Sequence, residues 1–277
     1  MKKLTVLILA LALVLSTAAV YADGITIAVP NDATNEGRAL LLLEAYGVIE
    51  VDDEAGITAT KADVTSNPYN VDFVEVEAAM VPNVLADVDF AIINGNYALA
   101  AELDDALLYE NAESPYVNVV SVREANVDAP EAKALAAAVL SQKVVDYFNN
   151  YDGQAISVVE EPTDGFDPDV DYAALAGTTI KVLCTLDPHS YVLEIAKEIL
   201  AEKDIKLDIT IVDDYVTPNT IVFDGDAFAN FFAHSPYQED FNAQNGTDLT
   251  TIAGVHVEPM GLYAGKQDEL SLLGIDD

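Results

Sequence analysis

The sequence predicts an α/β fold in two similar lobes, each a mostly parallel sheet flanked by helices. Three observations predict it. Apolar strand-like runs alternate with helical segments from residue 24 onward. The alternation occurs twice, in the same order. The 277 residues are enough for two cores of ordinary size.

Residues 1–22 read as a signal peptide. Lys2 and Lys3 open it, Leu4 to Leu15 form a short apolar core, and Val20-Tyr21-Ala22 offers a small-residue cleavage site. An uncleaved anchor helix is the alternative. No later stretch is long and apolar enough to span a bilayer. Asp23 follows the segment where a lipobox cysteine would stand, so export is expected without a lipid anchor there.

The first copy of the pattern starts with the apolar run Gly24 to Val29. A Pro/Asn/Asp loop leads into a helix through Arg38, Leu40 to Leu43 and Ala45. Val71 to Val76 alternates as a strand, Val81-Pro82-Asn83 opens a short helix, and Asp89 to Ile93 reads as a buried strand ending at Asn94. Pro130 to Tyr151 follows as one amphipathic helical stretch. Val158 to Ala176, with Pro162, Gly165, Pro168 and many acids, reads as a connection. The second copy runs from the strand at Thr178 to Leu183 through Asp187-Pro188-His189 into a helix over Tyr191 to Ala201. Leu207 to Val212 is its alternating strand. Thr217-Pro218-Asn219 opens its next helix, and Asp226 to Ala229 is its buried strand. Ligands of such sheets sit beyond the carboxyl ends of the strands. Two facing lobes would put both loop sets in one cleft, with hinge closure as the motion. One continuous sheet with accidental similarity is the alternative.

Composition excludes several classes. A formal charge of −36 repels nucleic acid and anionic headgroups, so neither is an expected partner. No calcium loop appears. His189, His234 and His256 lack close metal-ligand spacing, which weakens a metal-ion receptor. No Gly-x-Ser-x-Gly or His-Glu-x-x-His motif supports an exported hydrolase. The single cysteine, Cys184, lies in an apolar run and reads as core.

Several segments resemble the NlpA/MetQ family of methionine-binding lipoproteins. They are Pro30 to Leu43, Ile93 to Ala98, Ser114 to Asn118, Asp214 to Asn219, Ala229 to Tyr237 and Gly254 to Gly261. Family members usually begin with the segment that here starts at Thr178, so the chain resembles a circular permutation of them. The resemblance implies a periplasmic-binding-protein-like clamp. Its first lobe would hold residues 23–118 and 258–277, its second 119–257, with 158–176 joining the family's usual ends across the surface. It implies an extracytoplasmic, monomeric, non-enzymatic component of an ABC importer, passing methionine or a related amino acid or short peptide to a permease. No cofactor or metal is expected.

Arg38, expected in the first turn of its helix, would suit a carboxylate ligand, because a cation there is otherwise disfavoured by the helix dipole. A surface ion pair with Glu36 or another acid is the alternative. Asn94 and Asn118 carry amides suited to ammonium and carboxylate groups, and turn capping is the alternative for Asn94. The resemblance implies ligand contact for Asn118 and adds Asn35. Tyr215, Phe232, His234 and Tyr237 supply aromatic faces suited to a thioether, with core packing as the alternative. Phe232, His234 and Tyr237 are expected after the second buried strand. His189 and His256 read as backbone-bonding or loop residues.

Overall fold

The computed structural model describes residues 24–111, 115–151 and 154–276. The signal-peptide reading of 1–22, Asp23, Ser114 and the expected approach of Asp277 to Gly24 lie outside the described residues.

The first half of the chain runs β1 (Ile25–Pro30), α1 (Ala33–Ala45), β2 (Glu50–Val51), β3 (Val64–Ser66), β4 (Val71–Val76), β5 (Phe90–Ile93), α2 (Gly95–Ala100), β6 (Leu108–Tyr109) and β7 (Val117–Arg123). Next come α3 (Pro130–Val139), α4 (Gln142–Asn149), β8 (Ile156–Ser157) and α5 (Tyr172–Leu175). The remainder is β9 (Thr179–Cys184), α6 (Tyr191–Ala201), β10 (Lys206–Ile211), α7 (Thr217–Asp224), β11 (Ala229–His234), α8 (Ser235–Asn245), β12 (Leu249–Val257) and β13 (Gly261–Ala264).

Two large sheets repeat one plan. The first has the order β4-β1-β5-β13-β6 and the second β10-β9-β11-β7-β12-β8. In each, three parallel strands lead and an antiparallel fourth strand follows, β13 on β5 and β7 on β11. Each fourth strand enters from the other sheet's part of the chain, so the chain crosses between β6 and β7 and again between β12 and β13. The inner strands β1, β5 and β11 are buried along nearly their whole length, as expected where both faces of a sheet are covered, while the edge strands β4 and β10 keep exposed charged residues. Ile27, Ala28, Val29, Phe90 and Ile93 are fully buried in the first sheet, as are Val182, Ala229 and Phe231 in the second. Each such large side chain withdrawn from water stabilises its core by about 1.5–3 kcal/mol. The strands at Ile25 and Ile180 therefore lie in separate sheets, not one continuous sheet.

Four boundaries differ from expectation, each for a local reason. Helix α1 starts at Ala33, capped by Asp32 Oδ1 accepting from the Asn35 N–H at 3.1 Å, so Arg38 lies in its second turn. The helix expected from Val81 is a 3₁₀ stretch over Ala78–Asp87 with Pro82 inside it. The stretch Pro130 to Tyr151 breaks at Leu140 and Ser141, where Thr163 of the connection accepts from the Gln142 N–H and donates to Leu140 O. The second buried strand begins at Ala229, not Asp226. Gly225 ends α7 in the left-handed region at φ 87°, and the Asp226 N–H still bonds back to Ile221 O. Phe232 and His234 are consequently inside β11 rather than after it.

The connection 158–176 is mostly exposed, yet Gly165, Val170 and Leu175 are buried against the second core. Gly165 has φ 102°, and a Cβ there would lie 2.7 Å from Ile199 Cγ2, so only glycine fits that approach. Gly24 lies against Asn70 and Gly274 against the ring of the preceding residue, Tyr69.

Twelve basic side chains cannot neutralise 48 acidic ones. Self-repulsion follows, and added salt screens it. Raising NaCl from about 0.05 M to about 1 M should therefore raise the melting temperature, by roughly 2–8 °C if screening returns about 1–2 kcal/mol. A calorimetric scan that shows no rise would mean that repulsion is already relieved within the fold.

Candidate functional site

The two sheets face each other across a small cleft. It is lined by Asn35, Arg38, Asn94, Gly95, Asn96, Asn118, Tyr215, Phe232, Ala233, His234, Tyr237 and Glu258. All eight residues singled out in the sequence line this one space, from α1, the ends of β5, β7 and β11, the loop before α7, and α8. Asn96 and Glu258 were missed. The only available signal for Glu258 was its place in the Glu-Pro-Met segment.

Arg38 is buried, at 4% exposure, so it is not a surface residue. Its Nε donates to both oxygens of Glu110 at 3.1 and 3.0 Å, and Nη2 donates to Glu110 Oε2 at 2.5 Å and to the Glu258 carbonyl at 2.6 Å. The guanidinium also lies 4.3 Å over the Tyr116 ring. Placement in the second turn removes the helix-dipole argument; Glu110 is what balances the buried charge. Glu36, the partner named from sequence, instead accepts from the Lys61 N–H at 2.8 Å. One edge of the guanidinium is thus engaged, and Nη1 is without a protein partner among the described residues.

The amides form a connected set. Asn35 donates through Nδ2 to Asp32, and its Oδ1 accepts from Asn94 Nδ2 at 2.8 Å and from His234 Nε2 at 3.1 Å. His234 caps α8, with Nδ1 accepting from the Tyr237 N–H at 3.1 Å, so both its nitrogens are used and only its ring face is left for a ligand. Burial, then the neighbouring Arg38 charge, pushes its pKa well down and keeps it neutral. Asn94 occupies the cap position of α2 but makes no side-chain cap bond, which removes the capping alternative.

His256 is not a loop residue, since it lies inside β12, whereas His189 lies in the turn between β9 and α6 and bonds the Asp187 backbone. Both are fully buried behind the cavity. His189 Nε2 lies 3.0 Å from Asn118 Oδ1 and 3.3 Å from Glu258 Oε1, and its Nδ1 lies 2.9 Å from the Thr185 hydroxyl. His256, inside β12, donates from Nε2 to Glu258 Oε1 at 2.6 Å. With Oδ1 engaged, the Nδ2 donors are the part of Asn118 left for a ligand. Burial pushes both imidazoles down to about 3 and the Glu258 carboxyl up to about 6, the latter against the pull of His189 and Arg38. The ligand atoms of His189, His256 and Glu258 lie within 4.8 Å of one another. Sequence spacing brings only His256 and Glu258 together, two residues apart; His189 joins them through packing.

The aromatic wall ties the lobes together. The Tyr215 ring is 4.9 Å from Tyr97, 5.6 Å from Phe232 and 5.7 Å from Tyr237. Its hydroxyl donates to Asn96 Oδ1 at 2.6 Å, and the Tyr97 hydroxyl donates to Asp213 O at 3.1 Å. Such a wall beside paired amides and a buried cation can hold a small zwitterion with an apolar side chain.

The sequence model of the NlpA lipoprotein family matches residues 15–159 and 180–275. The D-methionine-binding lipoprotein MetQ of Escherichia coli (strain K12) is 41% identical over 140 residues, covering 48% of this chain and 52% of that protein. Outer membrane lipoprotein 2 of Mannheimia haemolytica is 38% identical over 125 residues, covering 44% of this chain and 45% of that protein. A solved structure of a nutrient binding protein from Burkholderia cenocepacia bound to methionine is 44% identical, with a TM-score of 0.44, covering 46% of this chain and 55% of that one. The chain spans about half the length of the curated relatives it matches.

Proposed function

The chain belongs to the NlpA lipoprotein family, and from that premise we propose that it is the extracytoplasmic substrate-binding component of an ABC importer. It closes on methionine, or on a closely related amino acid or short peptide, and delivers it to a membrane permease. The observation that carries this reading is the cavity itself: Arg38, the Asn94 and Asn118 amides and four aromatic rings converge there from both sheets. Arg38 and Asn118 Nδ2 would take the carboxylate, Asn94 Oδ1 the ammonium, and Phe232, Tyr215, Tyr237 and the His234 face the thioether.

The lobes in this reading are 23–118 with 258–277, and 119–257. The chain order is a circular permutation of the family's. Two facts support that order: Gly24 and Gly274 lie against the neighbouring residues Asn70 and Tyr69, and the family match is interrupted over residues 160–179, where the connection lies.

A second reading, a divalent-cation receptor, is favoured by one observation, the buried His189, His256 and Glu258 group. Calorimetry against L-methionine, D-methionine, a methionyl dipeptide, other amino acids and zinc, with and without chelator, separates the two. Methionine binding untouched by chelator is the expected result. Binding that disappears with chelator would transfer the assignment to the cation receptor.

A further inference from the structure

Asn94 Oδ1 is buried in the cavity wall and has no hydrogen-bond partner among the described residues. An unpaired buried acceptor costs about 1–3 kcal/mol, so it calls for a donor brought by the ligand. Which end of the Asn94 amide is left unpaired is decided by residues further back. The backbone N–H of Tyr237 can only donate, and it bonds His234 Nδ1 at 3.1 Å. A neutral His234 therefore carries its proton on Nε2 and donates to Asn35 Oδ1 at 3.1 Å. At its other end, Asn35 Nδ2 donates to Asp32 Oδ1 at 2.9 Å and Oδ2 at 3.0 Å. Locked from both ends, Asn35 offers Asn94 only an acceptor. Asn94 must approach with Nδ2, at 2.8 Å, and its Oδ1 is the end that remains.

We propose that Asp32 is a positioning residue for ligand recognition: through Asn35 it holds Asn94 Oδ1 as the acceptor for the primary ammonium of an α-amino acid. The proposal rests on the amino-acid reading of the cavity. Asp32 itself does not line the cavity and acts only through the amide chain. With Asp32 replaced by a group that offers a donor, Asn35 loses one of its two locks, and a reversed Asn94 would present N–H groups to a cation.

The test is a ligand comparison in the full-length protein. Affinities for L-methionine and for its des-amino analogue, 4-(methylthio)butanoate, are measured by calorimetry in the wild type, Asp32→Asn and Asp32→Ser. Both replacements keep a good N-cap oxygen for α1, so helix capping is retained. Methionine affinity is expected to fall roughly 10- to 100-fold in both variants, while the analogue changes by less than about threefold. Equal losses for both ligands, or undiminished methionine binding, overturn the proposal, as does a wild type that binds both ligands equally well. A wild type that binds no amino acid rejects the functional reading itself before any variant is compared, and the proposal falls with it.

Discussion

Replacing Arg38 with alanine is expected to weaken methionine binding by on the order of 2–5 kcal/mol, roughly 30- to 5,000-fold in affinity. Among the described residues the buried guanidinium is the only cationic side chain lining the cavity, and without it a ligand carboxylate would be desolvated with no countercharge. Arg38 also balances Glu110, so the alanine variant should lose stability as well. The double variant Arg38→Ala with Glu110→Gln separates the two effects, because it removes the stranded carboxylate along with the cation. It should recover stability in urea unfolding while binding stays weak. Affinity preserved in the double variant would reduce Arg38 to a structural partner of Glu110. Arg38→Lys is expected to fall between, since a lysine keeps the charge but cannot bridge Glu110, the Glu258 carbonyl and a ligand at once.

Acidification should produce the largest change in stability. His189 and His256 have pKa values lowered by burial from 6.5 to about 3, and His234 is lowered well below 6.5. An imidazole whose pKa falls on folding binds fewer protons folded than unfolded. Its contribution is therefore intact above about pH 6.5 and is lost progressively as pH drops toward 3. Glu258 acts oppositely: its pKa rises from 4.5 to about 6, so its contribution is present below 4.5 and is lost as pH rises through 6. At about 1.4 kcal/mol per pH unit, going from pH 6.5 to 4.5 removes about 5 kcal/mol through His189 and His256 and returns about 2 kcal/mol through Glu258. The histidines win, and His234 adds to them. Against a typical total of about 5–15 kcal/mol, the urea midpoint should drop clearly between pH 7 and 4.5. A midpoint that holds steady or rises over that range would mean the histidines are charged in the native state. The Glu258 carboxylate would then have to be their counter-ion.

Much of the fold was legible because burial of one face leaves a period in the sequence. The alternation of Val71–Val76 and the helix Tyr191–Ala201 emerged with the expected bounds, and the repeated order of elements emerged as two sheets with the same strand plan. The cavity-lining residues were legible too, since short motifs such as the one from Asn31 to Arg38 place several polar side chains at strand and helix ends at once. Boundaries failed where a distant segment intervened, as Thr163 does at the break between α3 and α4.

By itself the sequence determined the α/β class, the doubled strand plan and the chemical types gathered in the cleft. Tertiary structure alone decided how those groups are oriented. Arg38 meets Glu110 across 72 residues, Asn94 meets Asn35 across 59, and His234 meets Asn35 across 199. Periodicity records only which face of an element is buried. The direction of a hydrogen bond is set by whichever group the packing of two sheets brings opposite it, and so the polarity of Asn94 traces back to a carboxylate and a backbone N–H far from it in sequence.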